Sequence, residues 1–130
     1  VIWYHGSPEL LAVIRAGSSI TPTESVARGF SHKPEFLDVS NNGASIRHNG
    51  NRDGYLYVVD EVMAEDDIEI HPASVDDLWF EWLVKRDVRV RLLRRTEINA
   101  GELLSESEIA EYRERLKANG GQNSFEKRED

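Results

Sequence analysis

Cysteine is missing from all 130 residues, which excludes a disulfide framework, a thiol nucleophile and a thiolate-held metal. Basic charge is scarce: 16 Lys and Arg against 24 Asp and Glu leave a formal charge of −8 at pH 7. That balance argues against broad, sequence-independent phosphate binding while leaving room for a local basic patch. No apolar run approaches membrane-spanning length, and no signal-peptide pattern opens the chain. These absences lead to the expectation of a cytoplasmic protein without a membrane partner. The four histidines, His5, His32, His48 and His71, are scattered with no HExxH spacing, so no metal site is expected. The acidic stretch DEVMAEDDIEI lacks EF-hand spacing and reads as a solvated face. With no GxSxG elbow, Walker loop or GxGxxG, the Ser-hydrolase, P-loop and dinucleotide-fold readings have no support.

What is present fits one folded domain. The hydrophobic fraction is 39%, with three Trp, enough for a core in a chain too short for two domains. The domain is read over residues 1–120, with 121–130 as a frayed tail. Val1 to Tyr4 read as a buried strand, and Ser7, Pro8 and Gly17 bracket a predicted helix over Pro8–Ala16 whose face carries Leu10, Leu11 and Ile14. TPTE predicts a second helix, with Thr21 as cap, Pro22 in the first turn and Glu24 as capping-box partner. Residues 31–54 are turn-rich and predict a long loop with one short strand near Ser45–Arg47. Strands are expected at Tyr55–Asp60, Asp67–Ile70, Trp82–Val84 and Val88–Leu93, the last alternating apolar residues with Arg89 and Arg91. The arginines of that region, with Arg94 and Arg95, read most simply as the wet face of an edge strand. Ser105 and Glu108 form a capping box for a terminal helix that Gly120–Gly121 would stop. Strands in the middle and helices at the ends make the class α+β.

The opening VIWYHGS raises a sharper question, since a His-Gly-Ser ends an apolar strand. A plain strand–turn–helix junction, with Ser7 as N-cap, is one answer. A second rests on order: His5-Gly6-Ser7, then Gly17, Ile20 and Pro22 as G-x-x-I-x-P, then Ala27-x-x-Phe30-Ser31, then Glu81 in FEWLVKRDV. In that order and spacing the chain resembles the NAD-dependent ADP-ribosyltransferase superfamily, over most of 1–31 and 55–94. The closer branch has a histidine in its first motif and includes poly-ADP-ribose polymerase catalytic domains, small rifamycin-modifying transferases and RNA 2′-phosphotransferases.

The resemblance implies split antiparallel β-sheets with short flanking helices and a C-terminal helix, holding NAD as substrate between the sheets. It implies that His5 bonds a ribose hydroxyl, that the Gly6 backbone meets the nicotinamide amide, and that Ser7 lies near the adenosine ribose. Glu81 would bond the nicotinamide-ribose 2′-hydroxyl, with Asp77 the next candidate carboxylate. The second motif usually supplies a stacking tyrosine, but ITPTESVARGF has none, so the role passes to Phe30 or Tyr55. Trp79 stands two residues before Glu81 where arginine-directed members carry Glu or Gln, which argues against arginine as acceptor. The acceptor, whether protein, nucleic acid or small molecule, is left open. Two alternatives are NAD-dependent removal of a 2′-phosphate from RNA, for which the early motifs offer only Arg15 and Arg28, and a non-catalytic domain binding NAD or ADP-ribose.

Overall fold

Val88 to Thr96, where apolar and basic residues alternate, forms the longest strand of a computed structural model. The structure describes residues 1–40, 42–72 and 81–118 and the backbone of 125–128. In chain order the elements are β1 (Tyr4–Ser7), β2 (Val13–Ile14), β3 (Ser19–Ile20), α1 (Glu24–Phe30), β4 (Leu37–Ser40), β5 (Ile46–His48), β6 (Gly54–Val59), β7 (Ile68–Ile70), β8 (Trp82–Val84), β9 (Val88–Thr96), α2 (Glu106–Ala118) and β10 (Phe125–Arg128). They make an α+β arrangement of three small sheets, ordered β1-β6-β9-β2, β3-β8-β7 and β10-β4-β5. Every strand pair in the first two sheets is antiparallel, whereas β10 runs parallel to β4. The 125–128 backbone is thus paired within the stretch expected to fray. No helix among the described residues is long and apolar enough to cross a membrane.

Two apolar clusters organise the packing. Ile14, Ile20, Tyr57, Val84, Val88 and Val90 form the first, drawn from strands of the first two sheets. Val26, Leu37, Val39 and Ile46 form the second, between α1 and the β4–β5 pair. Two glycines let α1 lie flat between its neighbours. A Cβ on Gly6 of β1 would stand 1.8 Å from the Ala27 carbonyl oxygen, and one on Gly29 would stand 2.7 Å and 2.9 Å from Leu37 and Ile46 side-chain carbons.

The predicted helix over Pro8–Ala16 does not form. Its backbone groups are taken by distant partners instead of by one another. The Tyr57 hydroxyl accepts from Leu11 N at 2.8 Å and donates to the Glu9 carbonyl at 2.7 Å. Ala12 O accepts from Val90 N, and Val13–Ile14 pair with Arg89 and Val88 as β2. Ser7 is no helix cap; its Oγ accepts from Glu9 N at 3.0 Å and holds a bend. Gly17 ends no helix either, and sits at φ +93° in the turn before β3.

The second predicted helix forms two residues late. Thr21 is pinned by backbone bonds to Tyr4, so the N-cap position falls to Thr23, whose side chain makes no capping bond. Thr21 Oγ1 accepts from Thr23 N at 3.1 Å, and Glu24 faces Arg94 instead of reaching back. The 31–54 stretch holds two strands where one was expected. Asn42 Oδ1 accepts from Ala44 N and Ser40 Oγ, closing the β4–β5 connection, and Asn49 Oδ1 accepts from Glu35 N and Phe36 N. The Val88–Val90 alternation then changes face. Opposite Leu56 and Tyr57, β9 offers Arg94 and Leu92, so Leu93 is an extra residue; Leu92 is 44% exposed. The terminal capping box forms as read: Glu108 N donates to Ser105 Oγ and Ser105 N donates to Glu108 Oε1. The stop at Gly120–Gly121 lies outside the described residues.

Candidate functional site

A backbone bridge joins the first two sheets, Tyr4 N to Thr21 O at 2.8 Å and Thr21 N to Tyr4 O at 3.0 Å. One residue further along β1, the connection passes to a side chain: His5 Nδ1 lies 2.6 Å from the Ser19 carbonyl oxygen. A carbonyl only accepts, so Nδ1 carries the proton and Nε2 presents a lone pair. Burial pushes the His5 pKa below its ordinary value, and the Ser19 bond opposes this in part. A neutral imidazole of fixed tautomer is the result. Its ring is tilted 43° to that of Tyr57, the residue across from it on β6, with centroids 6.2 Å apart.

Ser19 also reaches the other way, its Oγ donating to Glu81 Oε2. Glu81 immediately precedes β8, and its carbonyl accepts from His71 N at 3.0 Å at the end of β7. Glu81 Oε1 lies 3.8 Å from His71 Nε2, and the Glu81 side chain retains 19% exposure. Trp82 of β8 packs edge-on to Trp3, the residue before β1, centroids 5.8 Å apart, so an aromatic pair lies beside the carboxylate. His5 of β1 and Glu81, the residue before β8, are therefore bonded to the same residue.

The remaining sequence-derived site residues separate. Gly6 follows His5, and the lack of a Cβ there is required by the Ala27 carbonyl before any ligand is considered. Ser7 is buried, with its hydroxyl turned into the bend at Glu9. Tyr55 pairs with Ser7 and packs on the first cluster, two residues from Tyr57 along the same strand. Phe30 packs instead against the second cluster, with Val26, Leu37, Val39 and Ile46. Asp77 and Trp79 lie outside the described residues. Ser19, Tyr57 and His71 belong to the site's surroundings and were not singled out from sequence. The available signal for Ser19 was its place as a variable position inside G-x-x-I-x-P. For Tyr57 it was the two-residue alternation of a strand that pairs with β1.

Arg28, one of the two early arginines, is held by Glu102 in a two-pronged pair, both distances 2.6 Å. A cavity of about 660 Å³ lies elsewhere, lined by Trp3, Val59, Met63 and Ile68 together with Glu61 and Arg91. It touches none of His5, Ser19 and Glu81. Among the described residues no group of three or more His, Asp or Glu is placed to hold a metal ion. Comparison with family models, with curated proteins and with solved structures gives no match to this chain.

Proposed function

We propose that this chain is an NAD-dependent ADP-ribosyltransferase, with split sheets of that superfamily's type and NAD held where the first two sheets meet. One observation carries the reading: His5 and Glu81, named from separate motifs, are joined through Ser19. The residues suit the ligand. His5 Nε2, with its lone pair free by tautomer, accepts a ribose hydroxyl proton. Glu81, oriented by the Ser19 hydroxyl at one oxygen, bonds the nicotinamide-ribose 2′-hydroxyl. As the C–N bond to nicotinamide breaks, its electron pair leaves with nicotinamide and positive charge grows on the ribose. A fixed carboxylate beside that charge stabilises it by several kcal/mol, the scale of preorganised electrostatic groups. The acceptor nucleophile then bonds to the anomeric carbon and releases its proton. Ser19 is a positioning residue here, setting the His5 tautomer through its carbonyl and the Glu81 orientation through its hydroxyl.

The 2′-phosphotransferase alternative is weakened by the engagement of Arg28 with Glu102, since that reaction needs arginines aimed at a phosphate. Incubation with NAD labelled in the adenylate tests the reading. Stoichiometric nicotinamide release with the label on an acceptor, or in free ADP-ribose where water is the acceptor, supports it. Binding of NAD with no release supports the non-catalytic alternative, and no binding at all overturns both.

A further inference from the structure

Away from the site, two histidines are fully buried and stacked, His32 just after α1 and His48 at the end of β5, with ring centroids 5.1 Å apart and planes 22° from parallel. Backbone partners fix both tautomers. His32 Nδ1 lies 2.7 Å from the Arg52 carbonyl and must donate, which leaves a lone pair on Nε2. His48 Nδ1 accepts from Gly50 N at 3.0 Å, which leaves the proton on Nε2. Neither Nε2 has a hydrogen-bond partner among the described residues. With a proton on His48 Nε2, the pair cannot chelate one metal ion through both Nε2 atoms while the Gly50 bond stands.

We propose that the pair is an acid-sensitive latch, in which protonation of His48 at Nδ1 releases β5 and the 49–54 loop from α1. The added proton turns the Gly50 contact into a donor facing a donor. The new charge lies against His32 from the turn after α1 and against Arg28 from α1. Glu102, the carboxylate that faces it among the described residues, is already taken by both Arg28 nitrogens. The neighbouring β4 position, Leu37, is apolar. A buried imidazolium with an unmet N–H and no free counter-ion is expensive, so the ring leaves. Because the His48 carbonyl accepts from Leu104 N at 2.8 Å, its departure also opens the seam to the segment before α2. Burial, followed by the facing His32, holds the His48 pKa down at about 4, which places release in mild acid. The inference is independent of the NAD reading.

Amide exchange on the intact chain, corrected for the intrinsic pH dependence, tests it. Between pH 6.5 and 4 the Gly50 and Leu104 amides should lose protection by on the order of a hundredfold, while Val59 and Val90 in the first sheet keep theirs. Imidazole ¹⁵N shifts at pH 7 should report a proton on His32 Nδ1 and on His48 Nε2. His48→Asn, which offers an acceptor near Nδ1 but does not titrate, should abolish the local pH dependence. Should that variant fail to fold, the wild-type shifts and exchange decide alone. A His48 that titrates above pH 6, the opposite tautomer, or equal loss of protection in all four amides overturns the latch.

Discussion

The two apolar clusters solve the same packing problem with different materials. The first joins strands of two sheets through Ile14, Ile20, Val84, Val88 and Val90, and its one polar core side chain, Tyr57, has both hydroxyl roles filled by Leu11 N and Glu9 O. The second has four core residues, and around it lie buried polar side chains: His32, His48, Asp38, Ser31 and Thr96. Ser31 and Thr96 hydroxyls pair at 2.6 Å, and Asp38 accepts from Tyr112 of α2, but the two histidines leave an atom each unmet. The first cluster keeps its histidine, His5, outside the core, bonded to the Ser19 carbonyl. A region sealed by buried imidazoles depends on their staying neutral.

The harshest way to break the comparison is to separate the two regions where they touch. Gly6→Ala places a Cβ against the Ala27 carbonyl oxygen, a backbone atom that cannot swing aside. Denaturant unfolding should show a loss of more than about 3 kcal/mol, at the upper end of overpacking effects. Gly17→Ala, with open space but φ +93°, should cost only about 1 kcal/mol. Equal midpoints for the two variants would mean that α1 does not bear on β1 as described.

The second test is pH. His48 has its pKa held at about 4 against an ordinary 6.5, so the unfolded chain binds a proton before the folded one does. Stability is therefore complete above pH 6.5 and falls as pH drops from 6.5 toward 4, by about 3 kcal/mol in all. His5, lowered by burial as well, adds in the same direction from the first region. Chemical denaturation at a series of pH values, with and without His48→Asn, apportions the loss. A slope unchanged in the variant would assign the acid sensitivity to the first region and reverse the contrast.

The same contrast explains what could be read in advance. The strands at β6 through β9 and the Ser105–Glu108 cap were legible because their signals are local: alternation in VRV, a capping box within four residues. The Pro8–Ala16 helix was misread because Leu10, Leu11 and Ile14 share a helical face by spacing alone. What decides the stretch is Tyr57 and β9, far away in the chain. β4 escaped notice because four residues, LDVS, give too short a period to stand out, and all four are buried. At the candidate site, His5 and Glu81 each sit in a motif, whereas Ser19, which bonds both, has no motif of its own. The buried histidine pair had no sequence signal at all: His32 and His48 come together only when β5 closes over the end of α1.

Glu81→Gln sharpens the functional side of the comparison. The amide keeps the size and an acceptor for the Ser19 hydroxyl, so folding and NAD affinity should hold while turnover falls about a hundredfold. Ser19→Ala should cost less, since the carbonyl that sets His5 is retained and only the Glu81 orientation is lost. Single-turnover nicotinamide release separates the two. Loss of NAD binding with turnover intact would make Glu81 a ground-state ligand, and full activity in Glu81→Gln would remove it from the reaction.

The smallest effect is also the one that asks which region meets the nicotinamide. Phe30 packs in the second cluster against Val26, Leu37, Val39 and Ile46, whereas Tyr55 packs in the first, on the strand that carries Tyr57 opposite His5. An aromatic face that stacks on a ligand ring contributes about 1 kcal/mol beyond burial, which is roughly fivefold in Kd. Tyr55→Leu should weaken NAD binding by about that factor with little change in the unfolding midpoint. Phe30→Leu should do the reverse, lowering stability by about 1 kcal/mol and leaving Kd alone, because its neighbours belong to the face of α1 turned toward β4 and β5. Calorimetric Kd values and denaturation midpoints on both variants decide it. Should Phe30→Leu be the one that weakens binding, the ligand would lie on the α1 side of β1, the layer in which the His32–His48 pair sits, and the division of the molecule into a reactive first region and a pH-sensitive second would fail.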